Sequence, residues 1–159
     1  MFDVRPYTCD KDTACGPTCL RMLLDYYGTD VDLDTLIREC NVGVAGCSAG
    51  DLKRVGIAHG LDVIVYQMDA EELIRQDRPA IIWWKYSHWV VFAGQDAAGQ
   101  VVICNPGIGR YGIDKGTFKS LYSGVSLWNG DPQPLPEPEP DDDLEDLAEA
   151  ARILLGVSE

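Results

Sequence analysis

Ala14 to Gly28 reads ACGPTCLRMLLDYYG, a stretch that combines a helical period with a cysteine at its start. Cys19, Leu20, Leu23, Leu24 and Tyr27 recur at helical spacing, and Gly28 stands where a C-cap glycine belongs, so a helix is predicted over about residues 15 to 27. Cys15 then falls in its first turn. Unpaired N–H groups and the helix dipole favour negative charge there, so the position is expected to lower the thiol pKa. Asp12 or Thr13 is available as a cap, Gly16 would let a substrate backbone come close, and Pro17 is tolerated in a first turn.

Downstream, DLDTLIREC (32 to 40) and SAGDLKRVGIAH (48 to 59, with Ser48 as N-cap) continue the helical pattern to Gly60. The period then shifts. LDVIVYQM, PAIIWWK, HWVVFAGQ and QVVICNP are short β-branched or aromatic runs, with a brief helix near 69 to 75 and a DAAG hairpin turn between Gln95 and Gln100. Helices first and antiparallel strands afterwards make an α+β domain, a helical lobe packed on a sheet, over residues 1 to 130.

DPQPLPEPEPDDD occupies 131 to 143. Its prolines join neither ladder nor helix and its carboxylates repel, which predicts an extended linker. Residues 144 to 159 return to helical spacing through Leu144, Leu147, Ala151 and Leu154. They form either a solubilising acidic tail or an amphipathic helix for a protein partner.

The 159 residues carry a formal net charge of −13 and are 46% hydrophobic, enough for one core. Much of the acidity lies in the last thirty residues, where Arg152 is the single cation. An acidic chain with no basic stripe argues against a nucleic-acid partner, and no apolar run of membrane length or secretory signal occurs. A cytoplasmic protein with no membrane contact is expected. The six cysteines read as thiols, since disulfide frameworks belong to small secreted chains, and no zinc-ligand spacing or other metal set is present. No cofactor is implied.

A thiolate nucleophile needs an imidazole, and the chain has His59 and His88. His59 ends the third helix, where a histidine commonly meets the last carbonyls. His88 opens a strand, a rigid place from which to aim a ring, and is taken as the base for Cys15. Asn105 ends the next strand and can orient that ring across the hairpin, although Asn-Pro also opens turns. Trp83, Trp84, Tyr86 and Trp89 read mostly as core, with Trp89 the ring that walls a substrate cleft. Cys19, Cys40, Cys47 and Cys104 read as buried, inert thiols.

Over residues 5 to 126 these elements resemble the bacteriocin-processing, double-glycine leader peptidases, papain-like cysteine peptidase domains often fused to ABC transporters. The matching pieces are ACGPTCLRMLLDYYG, VDLDTL, GCSAGDLKRVGIAHGL, PAIIWWKYSHWVVF and the Asn105-Pro106-Gly107-Ile108-Gly109 element. The resemblance implies a papain-like peptidase cleaving after small residues such as Gly-Gly, and with no membrane segment after the domain a free-standing relative is expected. Cys15 would attack to form a thioester acyl-enzyme, His88 would move the proton and Asn105 would hold the ring, ending in hydrolysis or transpeptidation.

Two positions depart from the family pattern. Cys9 occupies the place of the family's oxyanion-donating glutamine, leaving Gln67 and Gln95 as nominal substitutes, and Asn105 replaces the usual aspartate. Cys9 therefore opens two other readings. One is a catalytically weak domain that binds a peptide and docks through its tail; the other is a reversible Cys9–Cys15 disulfide acting as an off-switch.

Overall fold

The structure is a computed structural model that describes residues 1 to 44, 46 to 85 and 88 to 130. The predicted linker and C-terminal helix of 131 to 159 lie outside those residues, as does Tyr86.

Helix α1 (Cys15–Tyr26) stops where the sequence says it should, with Tyr27 as C-cap and Gly28 at φ +91°, a conformation that costs a residue without Cβ little. Its start differs from expectation. Neither Asp12 nor Thr13 caps it with a side chain; Asp12–Ala14 instead form a 3-10 turn that runs into the helix through Ala14. Thr18 Oγ1, fully buried, donates to the Ala14 carbonyl at 2.7 Å and fastens that entry.

Helices α2 (Leu33–Glu39) and α3 (Ala49–Ala58) begin at Asp32 and Ser48, whose side-chain oxygens accept from the N–H of Thr35 and Asp51. His59 departs from its expected role. Its ring meets Glu39 at 2.6 Å and ties the end of α3 to the end of α2.

Strands β1 (Val63–Gln67), β2 (Ala80–Trp84), β3 (His88–Gln95) and β4 (Val101–Asn105) match the four β-rich runs, and α4 (Ala70–Ile74) the brief helix between the first two. Three further elements were not anticipated: β5 (Gly109–Ile113), α5 (Lys115–Leu121) and β6 (Tyr122–Asn129). These six strands join one antiparallel sheet in the order β1-β6-β2-β3-β4-β5, so β6, the last of the described strands, is inserted between β1 and β2.

The sheet separates two apolar clusters. One joins α1 to α3 with Trp89, Val91, Ala93 and Cys104. The other gathers Trp84, Val90, Phe92, Phe118 and Tyr122. Period-two alternation along β3 divides its residues between the two layers. The aromatics around His88 are likewise split: Trp83 and Trp89 meet edge to face at 4.6 Å on the helical side, while Trp84 meets Phe118 at 5.7 Å on the other. Among the described residues, no helix is long and apolar enough to cross a membrane.

The N-terminal segment is laced to the sheet before it reaches α1. Phe2 N–H donates to the Ala93 carbonyl at 2.8 Å, Arg110 donates to the Val4 carbonyl at 3.0 Å, and Cys9 N–H donates to the Pro106 carbonyl at 2.9 Å. This lacing couples the chain just before Cys15 to the turn just after Asn105.

Candidate active site

The three candidate residues stand at element ends, and His88 and Asn105 meet. Cys15 opens α1, His88 opens β3 and Asn105 closes β4. In the β3–β4 ladder Val91 pairs with Cys104, which puts Asn105 diagonally across from His88 at one end of the hairpin. His88 Nε2 and Asn105 Oδ1 are 2.9 Å apart. The amide oxygen also accepts from Gly107 N–H at 2.8 Å, and Asn105 Nδ2 donates to the Tyr111 hydroxyl at 3.2 Å. An amide oxygen only accepts, so this contact is a hydrogen bond when Nε2 carries a proton, and in that tautomer of the neutral ring Nδ1 keeps its lone pair.

Cys15 is 6% exposed, and its thiol is met by the backbone N–H groups of Trp89, Gly16 and Cys15 itself. Trp89 directly follows His88, so the backbone N–H next to that histidine reaches the sulfur. These donors favour thiolate, yet burial outweighs them and pushes the thiol above its ordinary value. That reverses the direction expected from the helix start alone: loss of water around the sulfur exceeds what the first-turn N–H groups return.

The thiol opens into a cavity of about 180 Å³ lined by Asp12, Thr13, Val44, Gly46, Cys47, Trp83 and Trp89. Trp89 is buried, with its indole N–H donating to the Cys47 carbonyl at 3.2 Å, so this wall is fixed. Gly16 lies behind it. A Cβ at that position would run into Cys47 Sγ and come 3.2 Å from Trp89 Cδ1, so the close approach at Gly16 is made by the protein's own side chains.

Cys9 does not aim a donor at this cavity. Its S–H points to the Lys11 carbonyl at 3.4 Å, and it lines a separate depression with Thr8, Asp10, Leu33, Gly107 and Ile108. Gln95 sits at the far end of β3 from His88 and donates to Gly99, while Gln67 is exposed at the end of edge strand β1, so neither serves as an oxyanion donor. Cys19, Cys40 and Cys104 are buried in the core, whereas Cys47 is a lining residue. Sequence reasoning missed Cys47, the Trp89 N–H contact and Tyr111. Tyr111 carried one usable signal, its place two residues beyond Gly109 on a strand folding back along β4. Among the described residues, no group of three or more His, Cys, Asp or Glu side chains could hold a metal ion.

A helical lobe on an antiparallel sheet, with a buried thiol opening the first helix, defines this molecule as a papain-like cysteine peptidase. The chain belongs to the Peptidase C39 family, whose sequence pattern matches residues 4 to 132.

Its relatives include the probable microcin-H47 secretion/processing ATP-binding protein MchF of Escherichia coli, 25% identical over 118 residues that cover 73% of this chain and 17% of that protein. The lactococcin transport/processing ATP-binding protein LcnC-like of Lactococcus lactis is 30% identical over 136 residues, covering 80% and 19%. The chain thus spans less than a fifth of the length of these curated relatives.

Among solved structures, a double glycine motif protease from an AMS/PCAT transporter, in complex with the leader peptide, superposes with a TM-score of 0.76 at 26% identity, covering 80% of this chain and 91% of that one. The peptidase domain of Streptococcus ComA gives 0.72 at 18% identity, covering 79% and 96%, a likeness of fold.

Proposed function

We propose that this domain hydrolyses a peptide bond that follows small residues such as Gly-Gly, through Cys15, His88 and Asn105. What carries the reading is the 2.9 Å contact of His88 Nε2 with Asn105 Oδ1, made on a strand whose next N–H meets the Cys15 thiol. With Nε2–H committed to Asn105, Nδ1 is the nitrogen that takes the thiol proton. Sulfur attacks the peptide carbonyl carbon, the carbonyl π electrons move onto oxygen, and the backbone N–H of Cys15 is a donor available to that oxyanion. Collapse expels the amine, which receives the proton from His88 and leaves a thioester. Water, deprotonated by His88, then releases the acid and restores the thiol.

Because burial raises the Cys15 thiol, the proton is held more tightly than in water and the reaction calls for a base to take it. Substrate choice is supported by the small cavity and by the likeness to a double glycine motif protease solved in complex with a leader peptide. We place the domain in the cytoplasm, a location that suits its six free cysteines.

One observation favours a second reading. No glutamine or asparagine lines the described cavity beside Cys15, and loss of one oxyanion donor typically lowers rate by about a hundred- to a thousandfold, which would suit a peptide-binding domain with little turnover.

Mass spectrometry of a synthetic peptide with an internal Gly-Gly separates the two. Hydrolysis after the second glycine by the wild-type chain, absent in Cys15→Ala and His88→Ala and absent for a Val-Val peptide, supports the peptidase. Binding of that peptide without any cleavage supports the receptor.

A further inference from the structure

An asparagine is an ambiguous partner for a histidine, because its amide has an accepting end and a donating end of nearly the same shape. Turned by 180°, the Asn105 side chain would point NH2 at two other N–H groups, those of His88 and Gly107. An aspartate avoids the problem, since both its oxygens accept.

The structure supplies a group that distinguishes the two ends. Asn105 Nδ2 donates to the Tyr111 hydroxyl at 3.2 Å, and Tyr111 reaches it from β5, where the ladder pairs Asn105 with Gly109 and Ile103 with Tyr111. Gly109, at φ +95°, makes the reversal that brings β5 back along β4. The Tyr111 ring is partly buried against the cluster on that face of the sheet, so packing holds its oxygen in place.

We propose that Tyr111 is a positioning residue for the peptidase reaction: its hydroxyl takes the Asn105 N–H and thereby keeps Oδ1 on His88 Nε2–H, holding the imidazole in the tautomer whose Nδ1 faces the thiol chemistry. The inference rests on the assignment of Cys15, His88 and Asn105 as the reacting site. Gly107 N–H opposes the flipped amide as well, so loss of the hydroxyl loosens the arrangement without abolishing it.

Tyr111→Phe keeps the ring and deletes the oxygen. Two readouts apply: the iodoacetamide alkylation rate of Cys15 near neutral pH, and the ring ¹⁵N shifts of His88, resolved easily because His59 is the only other histidine. Deleting one hydrogen bond of ordinary strength is expected to slow the His88-dependent alkylation about three- to tenfold and to move the ring shifts away from a pure Nε2–H tautomer.

Asn105→Asp is the control that a merely structural role would not satisfy. In that background both ends accept, so adding Tyr111→Phe should change the rate by no more than about twofold. An unchanged rate and tautomer in Tyr111→Phe alone, or an equal loss in both backgrounds, overturns the proposal. If His88→Ala itself leaves Cys15 alkylation unchanged, the underlying site assignment fails and takes this role with it; if His88→Ala slows alkylation and Tyr111→Phe does not, only the role of Tyr111 fails.

Discussion

Gly16 shows how closely the residues behind the nucleophile are fitted. An exposed helix interior normally prefers alanine over glycine by about 1 kcal/mol, so Gly16→Ala would stabilise an unobstructed helix. Here a new methyl would press on Cys47 Sγ and lie 3.2 Å from Trp89. We expect Gly16→Ala to destabilise by about 1 to 3 kcal/mol in urea unfolding, and Cys47→Ala in the same chain to recover much of that loss. Equal or greater stability of Gly16→Ala would contradict this packing. At this scale the places of Cys15, His88 and Asn105 in the fold were legible, because a helix start and two strand ends can be located from periodicity and punctuation. The direction of the Cys15 shift was not, since it depends on how much water the folded chain removes from the sulfur. Cys9 could be marked as a departure, but that its S–H turns to Lys11 is a matter of loop geometry no spacing encodes.

Among the elements, α1 to α4 and β1 to β4 follow from local pattern, each with a glycine, proline or capping residue at its edge. β5, α5 and β6 do not. GRYGI carries two glycines in five residues, and KGTFKSL buries Phe118 as its one core residue, too little for a period to emerge. YSGVSLWN is interrupted by Gly124 at φ +100° and by Ser126, which is polar yet fully buried with its hydroxyl donating toward the Tyr66 carbonyl at 3.4 Å. Alternation is the signal for a strand with one wet face, whereas β6 lies between β1 and β2 in the sheet interior. Its insertion there is a long-range pairing, invisible to a window of neighbouring residues. Missing β5 also meant missing the tyrosine that meets Asn105.

For the whole molecule, burial of so many thiols sets an alkaline limit. Burial raises Cys15, Cys19 and Cys104, and Cys47 is raised first by its hydrogen bond with Cys40 and then by burial. Below the ordinary thiol value of about 8.5 both folded and unfolded chains hold these protons; above it the unfolded chain releases protons that the fold retains. Stability is therefore fully present at neutral pH and falls as pH rises through the alkaline range. Urea unfolding under reducing conditions should show a lower midpoint at about pH 9.5 than at about pH 7, with a smaller difference in Cys19→Ala. A midpoint that holds steady or climbs would contradict it.

The pairing of Cys15 with His88 is tested most directly by the pH profile of Cys15 alkylation, read by intact mass and peptide mapping in the wild-type chain and in His88→Ala. The wild type should already react at neutral pH, and faster than Cys9. In His88→Ala that neutral-pH reactivity should vanish and reaction should appear only in the alkaline range, because burial holds the isolated thiol protonated. Coincident profiles for the two chains, or a Cys15 that labels no faster than Cys9, would contradict a Cys15–His88 active site.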